Sequence, residues 1–114
     1  MSTPVGIITF LFTDIEGSAA RWQASPAAMS AAVAAHDEIT RHCAERHDGT
    51  VVKSTGDGAF GVFADPLKAL LGALELQRTL AQSEPQAGVP LRVRAGIHVG
   101  EATRRRPALR TCTT

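Results

Sequence analysis

The chain has 114 residues, 44% of them hydrophobic and 20% charged, which suits one globular domain with one core and excludes two domains, a fibrous repeat or a disordered polymer. Its formal charge of +1 is unevenly spread: residues 1–103 carry eight Arg and Lys against eleven Asp and Glu, a net −3, while residues 104–114 add four Arg. A mildly acidic body with its basic excess in a terminal tail is a poor phosphate-backbone binder, so nucleic acid is not the expected partner.

Val5 to Phe12 ("VGIITFLF") is apolar on both parities and rich in β-branched and aromatic residues, the pattern of a central strand covered on both faces. It is too short to span a membrane, has no basic residue ahead of it and ends in an acidic turn, so no membrane contact is expected and the cytoplasm is the expected location. Ser18 to Gln23 reads as a short helix with Trp22 as its packing anchor. Ser25 and Pro26 then supply the cap and first-turn signature of a longer helix. That helix carries Met29, Ala32, Val33, His36, Ile39 and Cys43 at three- and four-residue spacing, and Gly49 is expected in the left-handed position that ends it.

Thr50 to Ser54 and Ala59 to Phe63 are two short strands around "TGDG", which calls for a tight hairpin with Asp57 at the turn. Asp65 and Pro66 open a third helix, with Leu67, Leu70, Leu71, Leu74 and Leu80 as its expected buried stripe, and "SEPQAGVP" is the loop that ends it. Leu91 to His98 alternates, placing Leu91, Val93, Ala95 and Ile97 inward and Arg92 and Arg94 on a solvated face. From residue 104 the tail, with Arg104, Arg105, Arg106 and Arg110, has no period and is expected to be loose. The domain is therefore expected over residues 1–103. The order strand, helix, helix, strand, strand, helix, strand, with the first strand central, fits an α/β (α+β) sheet with helices on one face, the split βαβ arrangement of ferredoxin-like folds.

A hairpin turn beside the central strand would bring Asp57 close to Asp14, and two converging carboxylates repel unless a cation lies between them. Mg²⁺ suits that set: it takes hard oxygen ligands, usually one or two carboxylates with water and phosphate, and no Cys or His cluster here favours zinc. Cys43 and Cys112 are expected to be inert. His36, His42 and His47 lie on or just past one helix at spacings that are not those of ligands, so surface or core-edge roles are expected for them. Glu16, Gly17, Ser18 and Ala19 turn the chain from strand into helix, and backbone N–H groups there favour a phosphate, making metal-bound polyphosphate the implied ligand. Either motif alone is commonly plain turn chemistry. Their combination in this strand order carries the weight.

These stretches resemble the class III nucleotidyl cyclases, in wording nearest the actinobacterial type. "FLFTDIEGS" is similar to the first metal motif, "VVKSTGDGAFGVF" to the second with its base-reading lysine, and "LRVRAGIHVGEA" to the strand after the third helix, so the resemblance covers residues 7–102. It implies a ferredoxin-like cyclase fold in which Asp14, Asp57 and the backbone carbonyl of Ile15 hold two Mg²⁺ ions, with Mn²⁺ as a substitute. It also implies that Lys53 reads adenine, favouring ATP over GTP. The product would be 3′,5′-cyclic AMP with release of pyrophosphate. A site shared between protomers further implies a homodimer, or pairing with a complete cyclase domain.

After Glu101 the family's Val-Asn-x-Ala-x-Arg continuation is not found, and the setting of the four tail arginines does not match it. The expectation is an N-terminal portion of the fold, truncated or frame-shifted and incomplete at its C-terminal side, with catalysis impaired or lost. The alternative is a non-catalytic remnant that binds Mg-nucleotide or regulates by dimerisation. "DIEGS" also superficially resembles a phosphatase nucleophile loop, but that loop needs Asp at position 16 and its other acids on parallel strands.

Overall fold

A computed structural model describes residues 3–82, 91–104 and 109–112; the loop expected at 83–90 lies outside the described residues. The elements are β1 (Thr3–Ile15), α1 (Ser18–Ala24), α2 (Pro26–Arg46), β2 (Gly49–Thr55), β3 (Gly58–Phe63), α3 (Pro66–Gln82), β4 (Val93–Arg104) and β5 (Leu109–Cys112). One antiparallel sheet results, in the order β2-β3-β1-β4-β5, with β1 at its centre. This is the mixed α+β, ferredoxin-like arrangement that the order of elements implies, and β1 and β4 extend beyond the bounds expected for them.

The two-sided apolar run of β1 packs on both sides of the sheet, but helices cover only one of them, so the expected cover on both faces is not found. On the helix side Leu11 packs with Ala44, Phe63, Ala69 and Ala73, and Ile15 with Met29, Val33 and Val93. On the other side Ile8 and Phe10 pack with Phe60 and Val62, the Phe10 and Phe60 rings stacking at 5.6 Å. In α2 the expected stripe is buried at Met29, Ala32, Val33, His36 and Cys43, with Ile39 half-buried. Burial and the nearby Glu75 push the Cys43 thiol above its ordinary pKa, which keeps it protonated and unreactive at neutral pH.

Four local expectations are corrected. The left-handed residue after α2 is Asp48, with φ 62°, rather than Gly49. Gly49 instead belongs to β2, where a Cβ would lie 2.3 Å from the Phe63 ring. The buried face of α3 is Ala69, Gly72, Ala73 and Leu76, whereas Leu67, Leu70, Leu71 and Leu74 are exposed and Leu80 is half-buried. Helix α3 lies close over the bulky Phe63, a Cβ on Gly72 falling 3.4 Å from its ring, so small residues take the contact and the leucines turn outward. In β4 Val93 is buried but Ala95 and Ile97 are exposed, because α3 covers only the start of that strand. Finally, Leu109–Cys112 pairs with Glu101–Arg104, so backbone pairing reaches into the stretch read as loose. Among the described residues no helix is long and apolar enough to cross a membrane.

Candidate functional site

The end of β1 is held from both sides. Asp14 is in register with Gly58 of β3 and with Arg94 of β4. Gly58 is required at that point, since a Cβ there would lie 1.9 Å from the carbonyl oxygen of Thr13. This close approach draws the Gly56–Asp57 turn against the end of β1, where the Ile15 N–H donates to the Asp57 carbonyl at 2.7 Å. Trp22 clamps the same turn from α1, its indole N–H donating to the Gly56 carbonyl at 3.0 Å. Trp22 thus anchors α1 and holds the hairpin as well.

Asp14 and Asp57 open onto one pocket of about 230 Å³, which Lys53, Thr55 and Phe60 also line. Lys53 reaches it through a register shift between Val51 and Lys53 in β2. Without the shift Lys53 would pair with Ala59, whose cross-strand partner Thr13 faces the helices. With it, Lys53 pairs with Phe60, which shares a sheet face with Phe12 and Asp14. The one-residue bulge therefore moves the lysine from the covered face to the open one.

Two carboxylates already have partners. Ser18 donates its hydroxyl to Asp57 Oδ1 at 2.9 Å. The Arg94 guanidinium donates to Asp14 Oδ2 and forms an ion pair with it. Arg94, read as a solvated strand residue, is thus part of the site. The signal for it was present in the alternation of β4, which puts Arg94 on the face opposite Val93, but the register that sets it against Asp14 is a long-range fact. Arg92 remains exposed, and its carbonyl accepts from the Glu16 N–H at 2.8 Å. That bond removes Glu16 from the expected phosphate-binding amides, leaving Gly17, Ser18 and Ala19. Gly17, with φ 66°, makes the left-handed turn that starts α1.

The histidines lie elsewhere. His36 is buried, with Nδ1 3.1 Å from Asp37 and Nε2 3.4 Å from the Thr40 hydroxyl, and His47 Nε2 is 2.8 Å from Glu75. His42 is exposed. Among the described residues no three His, Cys, Asp or Glu side chains converge as a metal site. What the pocket offers is two carboxylates with hydroxyl and carbonyl oxygens around them, a hard-oxygen set that fits a magnesium ion whose remaining positions are filled by phosphate and water. It fits once Arg94 releases Asp14.

Residues 1–106 match the family described as the adenylate and guanylate cyclase catalytic domain. The chain is 34% identical over 84 residues to an adenylate cyclase of Lachancea kluyveri, covering 74% of this chain and 5% of that protein. A solved adenylate cyclase structure from Trypanosoma brucei, in its monomeric state, superposes with a TM-score of 0.83 at 26% identity, covering 96% of this chain and 64% of that one. The catalytic core of a rhodopsin-guanylyl cyclase with converted specificity, solved with ATPαS, gives 0.83 at 20% identity, over 99% of this chain and 68% of that one, a likeness of fold. The chain spans a third or less of the length of the curated relatives it matches.

Proposed function

Since this chain belongs to the adenylate and guanylate cyclase catalytic domain family, we propose that its pocket is the metal and nucleotide half of an adenylate cyclase site. The observation that carries the reading is the convergence of Asp14, Asp57 and Lys53 on one open pocket. In this reading Asp14, Asp57 and the carbonyl of Ile15 hold two Mg²⁺ ions, or Mn²⁺ in their place, Lys53 contacts the adenine ring, and the amides of Gly17, Ser18 and Ala19 face the phosphates. The ions supply charge neutralisation for the triphosphate and acidify the ribose 3′-hydroxyl. Ring closure would be an in-line attack: the 3′-hydroxyl gives up its proton to solvent, its oxygen forms a bond to the α-phosphorus, the bond from that phosphorus to the bridging β-phosphate oxygen breaks, and pyrophosphate leaves with that electron pair. The chain's contribution is to position these groups and to exclude alternatives for the base.

The carboxylates of this pocket lie on the open face of the sheet, beside the exposed Phe12 and Val52. An uncovered apolar face supports pairing with a second copy or with a complete cyclase domain, in the cytoplasm where ATP and Mg²⁺ are supplied. The sequence offers no counterpart of the Asn and Arg that stabilise the transition state. Loss of one preorganised donor costs about 100- to 1,000-fold in rate, so turnover by this chain alone is expected to be weak or absent. That favours Mg-nucleotide binding or regulatory pairing as the alternative role. The antiparallel hairpin around Asp57 does not suit the phosphatase reading, which needs parallel strands.

Titration with ATP and Mn²⁺ by calorimetry, together with an assay for cyclic AMP, tests the proposal. Binding is expected to be metal-dependent and to weaken about tenfold or more in Asp14→Ala and Asp57→Ala. Cyclic AMP abolished by both substitutions would make the chain a catalyst; binding without product would make it a nucleotide-binding remnant. ATP binding indifferent to both substitutions would overturn the site.

A further inference from the structure

Helix α1 has seven residues and none of them is fully buried, so core packing alone does not account for its place. Ser18 and Trp22 stand four residues apart and therefore share one of its faces. Both reach the same turn. The Ser18 hydroxyl donates to Asp57 Oδ1 at 2.9 Å, and the Trp22 indole N–H donates to the Gly56 carbonyl at 3.0 Å. Gly56 suits that approach, because a Cβ there would lie 3.2 Å from the indole ring.

Asp57 is exposed, and an exposed aspartate ordinarily samples several rotamers. Here its hydrogen-bonding groups are taken up one by one. Its N–H donates to Thr55 Oγ1 at 3.2 Å, its carbonyl accepts from the Ile15 N–H at 2.7 Å, and its Oδ1 accepts from Ser18. Among the described residues, Oδ2 alone has no hydrogen bond. A carboxylate held by its backbone and by one oxygen presents the other oxygen in one direction, and Asp57 lines the same pocket as Asp14. A ligand ordered before its cation arrives loses less entropy on binding it.

We propose that Ser18 and Trp22 are positioning residues of this pocket: Trp22 fixes the turn, Ser18 fixes the carboxylate on it, and together they leave Asp57 Oδ2 ready for a divalent cation that carries a nucleoside triphosphate. Both act through Asp57 rather than as ligands. The proposal rests on the metal reading of the pocket, and gives the short helix α1 its purpose in that reading.

Calorimetry with ATP and Mn²⁺ on the full chain tests it as a double-mutant cycle. Ser18→Ala keeps the backbone N–H at that position and removes only the hydroxyl, so it should weaken metal-dependent binding about fivefold, with Ser18→Thr close to the parent chain. Trp22→Phe keeps a ring, removes the N–H and should weaken binding by a similar factor. In an Asp57→Ala background, Ser18→Ala should change the affinity by less than about twofold, whereas a role in general stability would lower it equally in both backgrounds. Thermal melts of Ser18→Ala should match the parent chain. The chain has one tryptophan, so its indole proton is a single NMR signal. In the metal-free chain that proton should exchange slowly with solvent, and it should shift on titration with ATP and Mg²⁺ in the parent chain but not in Asp57→Ala. Equal losses in both backgrounds, a freely exchanging indole proton, or parent-like affinity in Ser18→Ala and Trp22→Phe while Asp57→Ala is weakened would overturn this proposal alone. Binding indifferent to Asp57→Ala would overturn the metal reading and the proposal with it.

Discussion

Asp14 carries opposite demands in one side chain. Its pairing with Arg94 neutralises a carboxylate that would otherwise stand near Asp57, and an arginine is a cation the chain can supply itself. On the proposed metal reading, a divalent ion binding at Asp14 would have to displace that guanidinium, so the pair would oppose metal loading. The expected outcome is that Arg94→Met binds Mn²⁺ several-fold more tightly than the parent chain in the absence of nucleotide, measured by calorimetry. An exposed pair of this kind has only a modest effect on stability, and unchanged or weaker Mn²⁺ affinity would show that Arg94 does not compete for Asp14. Gly58 is the other residue on which the site turns. A methyl group there meets the Thr13 carbonyl, a backbone atom with no rotamer to yield. Gly58→Ala should therefore cost about 1–3 kcal/mol in urea denaturation and push β3 away from β1, loosening the Asp57 turn and weakening metal-dependent ATP binding with it.

At the scale of elements, the helices and the hairpin were legible where local chemistry decides. Ser25-Pro26 and Asp65-Pro66 mark true helix starts, the Asp65 carboxylate accepting from the Leu67 N–H at 2.9 Å, and "TGDG" is a turn because two apolar β-rich runs flank it. The stripe of α3 was not legible. Its leucines have the period of a core face, and nothing local distinguishes a leucine that packs from one that stays exposed; the choice was made by Phe63, which leaves room only for Ala69, Gly72 and Ala73. The end of α2 shows the same limit. Either Asp48 or Gly49 could adopt the left-handed turn, and Asp48 does so because Gly49 is needed where β2 passes the Phe63 ring. Asp48 also gains Lys68, whose ammonium holds the carboxyl below its ordinary pKa.

For the whole molecule, the radius of gyration of 15.1 Å exceeds the value of about 13 Å expected for a compact chain of this length. The protein is drawn out along one axis, 49 Å against 25 and 21 Å. Protection should follow that asymmetry. β1 is paired on both sides and packed on both faces, so amides from Thr9 to Thr13 are expected to exchange only on global unfolding. Amides of Ile97 to Gly100, on an edge that pairs with no strand among the described residues, should exchange orders of magnitude faster by local opening. Hydrogen exchange followed by NMR checks this, and equal protection along β4 and β1 would mean that the edge is covered by the chain itself.

The sequence by itself determined the order of elements, the central place of β1, the two acidic turns and the stripe of α2, because each follows from nearest-neighbour chemistry: caps, turns and apolar periods. Only the tertiary structure decided which carboxylate meets which cation, and on which face. The bulge that turns Lys53 toward Asp14, the register that brings Arg94 to Asp14 and the outward turn of the α3 leucines all depend on pairing between strands and helices far apart in the chain. A pattern with period 2 or 3.6 specifies a face, and only packing specifies what that face will touch.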